Sequence, residues 1–469
     1  MIAAMHYIST RGQAPVRSFS EVLLAGLAED GGLYVPQTWP TFSDADWRAM
    51  RGLSYPALAA RVIAPFAAGC LTEADLMKMT TAAYAGFDHP AIVPVTEVED
   101  GLFVKELFHG PTLAFKDMAM QLLGHLFEHV LASRGETLTI VGATSGDTGS
   151  AAIEAFANRA RINVVILHPE GRTSEVQRRQ MTTVKAPNIG NLAIQGTFDD
   201  CQDLVKAMFA DVVFRRDMHL SAVNSINWAR IAAQVAYYVH AALAMGAPDR
   251  EVSFAVPTGN FGNVLAAWVA RQMGLPIRHF AIGSNRNDIL SRFLHDNDMS
   301  MRAVVPSLSP SMDIQVSSNF ERLLFELLDR DADACATMMM DFRKTGRMNI
   351  DPDAWRRATA LFSGIALDDD GTRAEIRSLY DNSHYLADPH SAIGIAAGRA
   401  AREPGVPMIA MATAHPAKFP DAMEAATGLR PALPEHLADL FEREERFRVV
   451  ENDLGLVEDA VRSLVLSNS

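Results

Sequence analysis

From about residue 102 onward, short apolar runs alternate with amphipathic stretches. Residues 138–142, 162–167 and 191–195 read as strands, and 149–158, 174–183 and 199–210 read as helices. A long apolar helix over about 226–246 interrupts the rhythm. It resumes with a strand at 252–256, a helix at 262–273 and a strand at 277–282, and the sheet returns at 408–412. Continuously apolar strands that alternate with helices predict mostly parallel sheets covered on both faces. One run on either side of residue 230 predicts two α/β domains with a cleft between them. We divide the chain into an N-terminal region at 1–95, a smaller α/β domain at 96–230 and a larger one at 231–469. The larger one includes an irregular helical insertion at about 285–390.

Composition narrows the function. At 469 residues with 49% hydrophobic and 21% charged residues, the chain buries a substantial core without disulfides or structural metals. Lys and Arg number 42 against 56 Asp and Glu, a net charge of −14. That balance argues against a nucleic-acid binder, which needs a basic excess to neutralise phosphates. It leaves room for small anions held at helix N-termini. Three scattered cysteines, Cys70, Cys201 and Cys335, fit a reducing compartment. The N-terminus lacks the order of a signal peptide, and the most apolar stretch, 231–247, is broken by Gln234 and His240. A cytoplasmic protein that does not enter membranes is expected.

Four segments could carry chemistry. Pro257-Thr-Gly-Asn-Phe-Gly-Asn263 lies where a buried strand gives way to a helix, and its glycines let backbone N–H groups approach an anion. An ordinary strand–helix turn explains it equally well. Gly142-Ala-Thr-Ser-Gly-Asp-Thr-Gly149 occupies the same kind of position with three hydroxyls. It matches neither a Walker A loop nor G-x-G-x-x-G, so a carboxylate or phosphate is a better guest than a nucleotide, with a Ser/Thr-rich capping turn as the plain alternative. Lys116 follows Leu113-Ala-Phe115 and precedes an apolar helix. A lysine held among apolar neighbours has the lowered pKa that Schiff-base chemistry requires, although most lysines are solvated. Last, His125-Leu-Phe-Glu-His129 matches the inverzincin pattern, yet it reads more simply as the polar stripe of an amphipathic helix, so no metal is expected. The charged run 442–448 reads as a solvated helix face.

Taken in order, several segments resemble the threonine synthase family, pyridoxal-phosphate (PLP) enzymes of fold type II with a tryptophan synthase β-like architecture. The resemblance is to the bacterial and fungal branch that needs no S-adenosylmethionine. It is carried by Tyr7-Ile-Ser-Thr-Arg-Gly12, Glu29-Asp-Gly-Gly-Leu-Tyr-Val-Pro36, His109-Gly-Pro-Thr-Leu-Ala-Phe-Lys-Asp117 and Ala143-Thr-Ser-Gly-Asp-Thr-Gly149. It continues through Val223-Asn-Ser-Ile-Asn-Trp-Ala-Arg230, Pro257 to Asn263, Met312 to Arg322 and Ala412-Thr-Ala-His-Pro-Ala-Lys-Phe419.

The resemblance implies that Lys116 is the cofactor lysine and that Gly259, Asn260, Phe261, Gly262 and Asn263 hold the cofactor phosphate. It places Thr413 against the pyridine nitrogen. Thr144, Ser145, Asp147 and Thr148 would surround the substrate α-carboxylate, and Arg230 and Lys418 are candidates for the leaving phosphate. The reaction implied is O-phospho-L-homoserine and water to L-threonine and phosphate. A serine/threonine dehydratase-type β-eliminase is the alternative. The branch leans toward a monomer.

Overall fold

The computed structural model describes residues 4–144 and 146–466. Its strands form three sheets. The largest has six strands in the order Phe362–Ala366, Ile277–Ser284, Val252–Pro257, Met408–Ala412, Leu102–Glu106 and Val95–Glu99. Every pairing in it is parallel except the last. A five-stranded sheet runs Arg448–Glu451, Ile189–Gln195, Ile162–Pro169, Leu138–Ala143 and Leu220–Ser221, all parallel. Near the N-terminus, Arg17–Ser18, His6–Ser9 and Tyr34–Pro36 form a small antiparallel sheet.

The expected α/β architecture is present, and its reason is visible in the central strands. All six residues of Val252–Pro257 are buried, as a strand covered by helices on both faces requires. The sheets do not respect the division drawn from the sequence. Leu102–Glu106, placed by that division in the smaller unit, pairs with Met408–Ala412 in the larger sheet. Arg448–Glu451, at the other end of the chain, joins the smaller sheet beside Ile189–Gln195. The 285–390 insertion is not wholly helical, because Phe362–Ala366 extends the larger sheet at its edge. Nor is 442–448 a helix: it is irregular chain leading into the strand Arg448–Glu451.

The helix Trp228–Ala244 packs against the helices Gly262–Gln272, Tyr55–Ile63 and Lys116–Arg134, and 15 of its 17 residues are buried. A helix buried all round must satisfy its polar side chains internally. Accordingly Gln234 donates to the Arg230 carbonyl, and Tyr237 and Tyr238 both donate to Asn263 Oδ1 at 2.6 and 2.7 Å. This helix therefore connects the core to the loop at 259–263. The N-terminal region is fastened to the larger unit by a buried Arg11–Glu321 pair at 2.8 Å. Among the described residues no helix is long and apolar enough to cross a membrane.

Candidate active site

Lys116 opens the helix Lys116–Arg134, and the loop before it lies across the end of strand Met408–Ala412. Phe115 N–H donates to the Thr413 carbonyl at 2.8 Å, and Ala114 bridges to Ala414. Two residues far apart in sequence, Lys116 and Thr413, are thereby brought to one place. Within the loop, Asp117 is fully buried and accepts from the Thr112 N–H and hydroxyl at 2.8 and 2.7 Å. Burial pushes its carboxyl up to about 7 despite those bonds.

The Lys116 ammonium lies 3.5 Å from Ser311 Oγ and 3.5 Å from Asp147 Oδ2. Its pKa is lowered, chiefly by burial, and the Lys418 and Arg230 charges add to that against the pull of Asp147. Asp147 is the first residue of the helix Asp147–Phe156. Its other oxygen meets Lys418 Nζ at 2.8 Å and accepts from Gln177 Nε2 at 2.9 Å. Burial alone would raise this carboxyl, but Lys418 and Lys116 outweigh it and hold the group ionised, well below the usual range. Gly146 makes the arrangement possible: at φ +151°, a Cβ there would sit 2.5 Å from the Gln177 amide carbon. Lys418, fully buried, also donates to the Thr112 carbonyl at 2.7 Å. It therefore already spans from the turn at 142–149 to the loop that precedes Lys116.

The turn at 259–263 is built differently. Its carbonyls are tied back: Gly259 O accepts from Ser317 Oγ at 2.6 Å, and Asn260 O accepts from the Asn319 N–H at 3.1 Å. Phe261 sits at φ +61° as the cap of the helix Gly262–Gln272. Among the described residues, the N–H groups of Gly259, Asn260 and Phe261 have no protein partner. The buried Asn263 Nδ2 has none either. Gly259 is needed because a Cβ would lie 2.9 Å from the Ser311 carbonyl. Three N–H groups without a protein partner at a helix N-terminus are the makings of an anion cradle. They fit the phosphate of a phosphorylated cofactor, and the lysine and hydroxyl of Lys116 and Thr413 lie in the same site.

The remaining candidates divide. Thr144 Oγ1 accepts from Gly146 N and Gly149 N at 3.0 Å each, holding its own loop. Thr144 and Thr148 line a cavity of about 230 Å³ together with Val223 and Asn224. Ser145 lies outside the described residues. Arg230 is no surface ion pair: it is 3% exposed, has no carboxylate partner among the described residues, and its Nε has no partner. Burial lowers its pKa to about 10. Glu128 of the His125–His129 segment pairs with Arg159, as a polar stripe would. Sequence reading missed Ser311, Gln177 and Ser317, which act across the fold and carry no local signal.

A parallel-sheet α/β fold that combines a buried amine with an anion-type turn is the arrangement of a PLP-dependent enzyme, and the comparisons bear that class out. The family model for pyridoxal-phosphate dependent enzymes matches residues 90–341. The models for the threonine synthase N terminus and the threonine synthase C-terminal region match 6–84 and 391–461. The chain is 54% identical to the threonine synthase of Pseudomonas aeruginosa over 97% of both chains. Its structure is similar to that of PLP-bound threonine synthase from Brucella melitensis, with TM-score 0.97, 53% identity and coverage of 98% and 99%. Against the threonine synthase structure of Escherichia coli the TM-score is 0.82, at 31% identity and coverage of 98% and 100%. The chain belongs to the threonine synthase family; its activity is that family's, and its cofactor is pyridoxal phosphate.

Proposed function

We propose that the substrate is O-phospho-L-homoserine and that the products are L-threonine and phosphate, made by γ-elimination and addition of water at Cβ. The observation that carries this reading is the buried Arg230, a guanidinium with no carboxylate partner among the described residues, close enough to Lys116 to lower its pKa. An unpaired buried cation is costly unless an anion joins it, and a γ-phosphate is such an anion. The bound PLP supplies an electron sink for negative charge developing at Cα.

The chain's own groups supply the rest. Lys116, its pKa lowered, moves protons at the substrate's Cα and Cβ and returns one to Cγ. The Cγ–O bond breaks with its electrons leaving on phosphate, and water gives its hydroxyl to Cβ. Asp147 stays negative beside Lys116 and so favours the ammonium whenever that amine has taken a proton. Lys418 neutralises Asp147, which would otherwise repel the substrate carboxylate. The N–H groups of 259–261, with Gly262 and Asn263, hold the cofactor phosphate, and Thr413 presents its hydroxyl to the ring nitrogen. Thr144 and Thr148 take the substrate α-carboxylate. We further propose a cytoplasmic location, a reading supported by three unpaired cysteines, and a monomer, which is what the family resemblance leans toward.

The test is to supply O-phospho-L-homoserine to the PLP-saturated protein and assay threonine and phosphate together. Equal release is expected. Phosphate with a keto acid in place of threonine would refute correct water addition and leave an eliminase.

A further inference from the structure

The segment Asp388-Pro-His-Ser391 lies under the cofactor site and touches it at two points. Asp388 is fully buried and caps the helix Pro389–Ala401. One of its oxygens accepts from the His390 backbone N–H and from His390 Nδ1, each at 2.9 Å. The other accepts from the Ser391 N–H at 3.3 Å and from the Ser391 hydroxyl. His390 Nε2 then accepts from the Ser311 N–H at 3.3 Å, and Ser311 is the residue whose hydroxyl faces Lys116. Ser391 Oγ accepts from the Thr413 N–H at 2.8 Å. Thr413 in turn holds Phe115, the neighbour of Lys116, through its carbonyl.

The contacts close into a ring: Lys116, Ser311, His390, Asp388, Ser391, Thr413, Phe115 and back to Lys116. Each hydrogen bond in it has one direction. With Nδ1 donating to Asp388 and Nε2 accepting from Ser311, the two ring nitrogens have distinct and fixed roles. The Ser391 proton is committed to Asp388, so its lone pair is left for Thr413.

We propose that Asp388 is a positioning residue that sets Ser311 and Thr413 against the cofactor together, through His390 and Ser391. This rests on the reading of Lys116 as cofactor lysine and Thr413 as ring-nitrogen partner. Hydrogen-bonded supports of this kind fix groups that touch a ligand to a fraction of an ångström, and their loss typically costs about 10- to 100-fold.

The test compares holoenzymes carrying Thr413→Val, Ser391→Ala, Asp388→Asn and the Thr413→Val/Ser391→Ala pair. The readouts are the cofactor absorption spectrum, the cofactor dissociation constant, and kcat and KM separately. Ser391→Ala and Asp388→Asn are expected to shift the spectrum in the direction Thr413→Val does. Each should weaken cofactor retention about tenfold, with kcat falling more than KM rises. The double variant should be no worse than Thr413→Val alone, as links of one chain are non-additive. A wild-type spectrum in Ser391→Ala beside a shifted one in Thr413→Val would overturn the proposal and leave the Thr413 reading standing. A wild-type spectrum in Thr413→Val would overturn that reading, and this proposal with it. Should Asp388→Asn not fold, Ser391→Ala, which removes one hydroxyl, decides the matter.

Discussion

Two turns in this molecule share one local plan and opposite electrostatics. Both follow a buried parallel strand, both are rich in glycine, and both open a helix. The turn at 259–263 has its carbonyls tied back by Ser317 and Asn319 and offers its N–H groups with no acidic side chain of its own. The turn at 142–149 brings a carboxylate, Asp147, into the site and matches it with Lys418. The first presents N–H groups without a protein partner among the described residues. The second carries a carboxylate that is neutralised by Lys418 and lies 3.5 Å from Lys116. Strand–turn–helix geometry alone therefore does not set a turn's charge; what decides it is whether the turn brings in a charged side chain of its own.

The largest effect expected is at the lysine between the two turns. Lys116→Ala should lower turnover by about 10³-fold or more while the fold is kept, measured by threonine release and by thermal unfolding. Substantial residual turnover would remove Lys116 from its role. Next is the neutralised turn. Lys418→Met leaves the buried Asp147 carboxylate only the more distant Lys116 as a charged partner and should cost up to about 3–5 kcal/mol in urea unfolding, most of it recovered in Lys418→Met/Asp147→Asn. Full stability in the single variant would break the contrast between the turns.

For the turn at 259–263, Gly259→Ala sets a Cβ against the Ser311 carbonyl. We expect cofactor affinity to fall about tenfold, close to 1.4 kcal/mol, with only a small loss of stability. An unchanged dissociation constant would contradict the cradle.

The smallest effect is a slope with pH. Asp117 titrates near 7 in the fold, above its unfolded value near 4, so its contribution is fully present below about pH 4 and is lost as pH rises through 7. Asp147 has the opposite sign: its folded pKa is depressed, so its contribution is present above the usual carboxylate range and is lost as pH falls below it. Asp117→Asn should flatten the dependence of unfolding free energy between pH 5 and 7, by no more than about 1.4 kcal/mol per pH unit. An unaltered slope would show that Asp117 does not titrate there.

The sheets were legible where strands are buried on both faces, since 252–257 and 162–167 are apolar runs bounded by turns. Edge strands were not. Arg448–Glu451 buries only Val450, and Phe362–Ala366 is interrupted by Ser363 and Gly364, so neither shows the pattern of a covered strand. In the site, Lys116 and 259–263 stood out because each sits at a readable helix start. The pairing of Asp147 with Lys418 joins residues from opposite ends of the chain, and no local pattern announces it. Asp388-Pro carries a clear helix-start signal, Asp as cap and Pro in the first turn. What that signal cannot say is that the same carboxylate reaches Ser391 and His390 and, through them, the cofactor site.

On the proposed function, Lys116 and Lys418 are two lysines of one site with different tasks, one to bond the cofactor and one to neutralise Asp147. Borohydride reduction of the holoenzyme, followed by mass mapping of its peptides, tests this directly. The account predicts a pyridoxyl mass on the peptide carrying Lys116 and none on that carrying Lys418. A label on Lys418, or labelling that persists in Lys116→Ala, would contradict it.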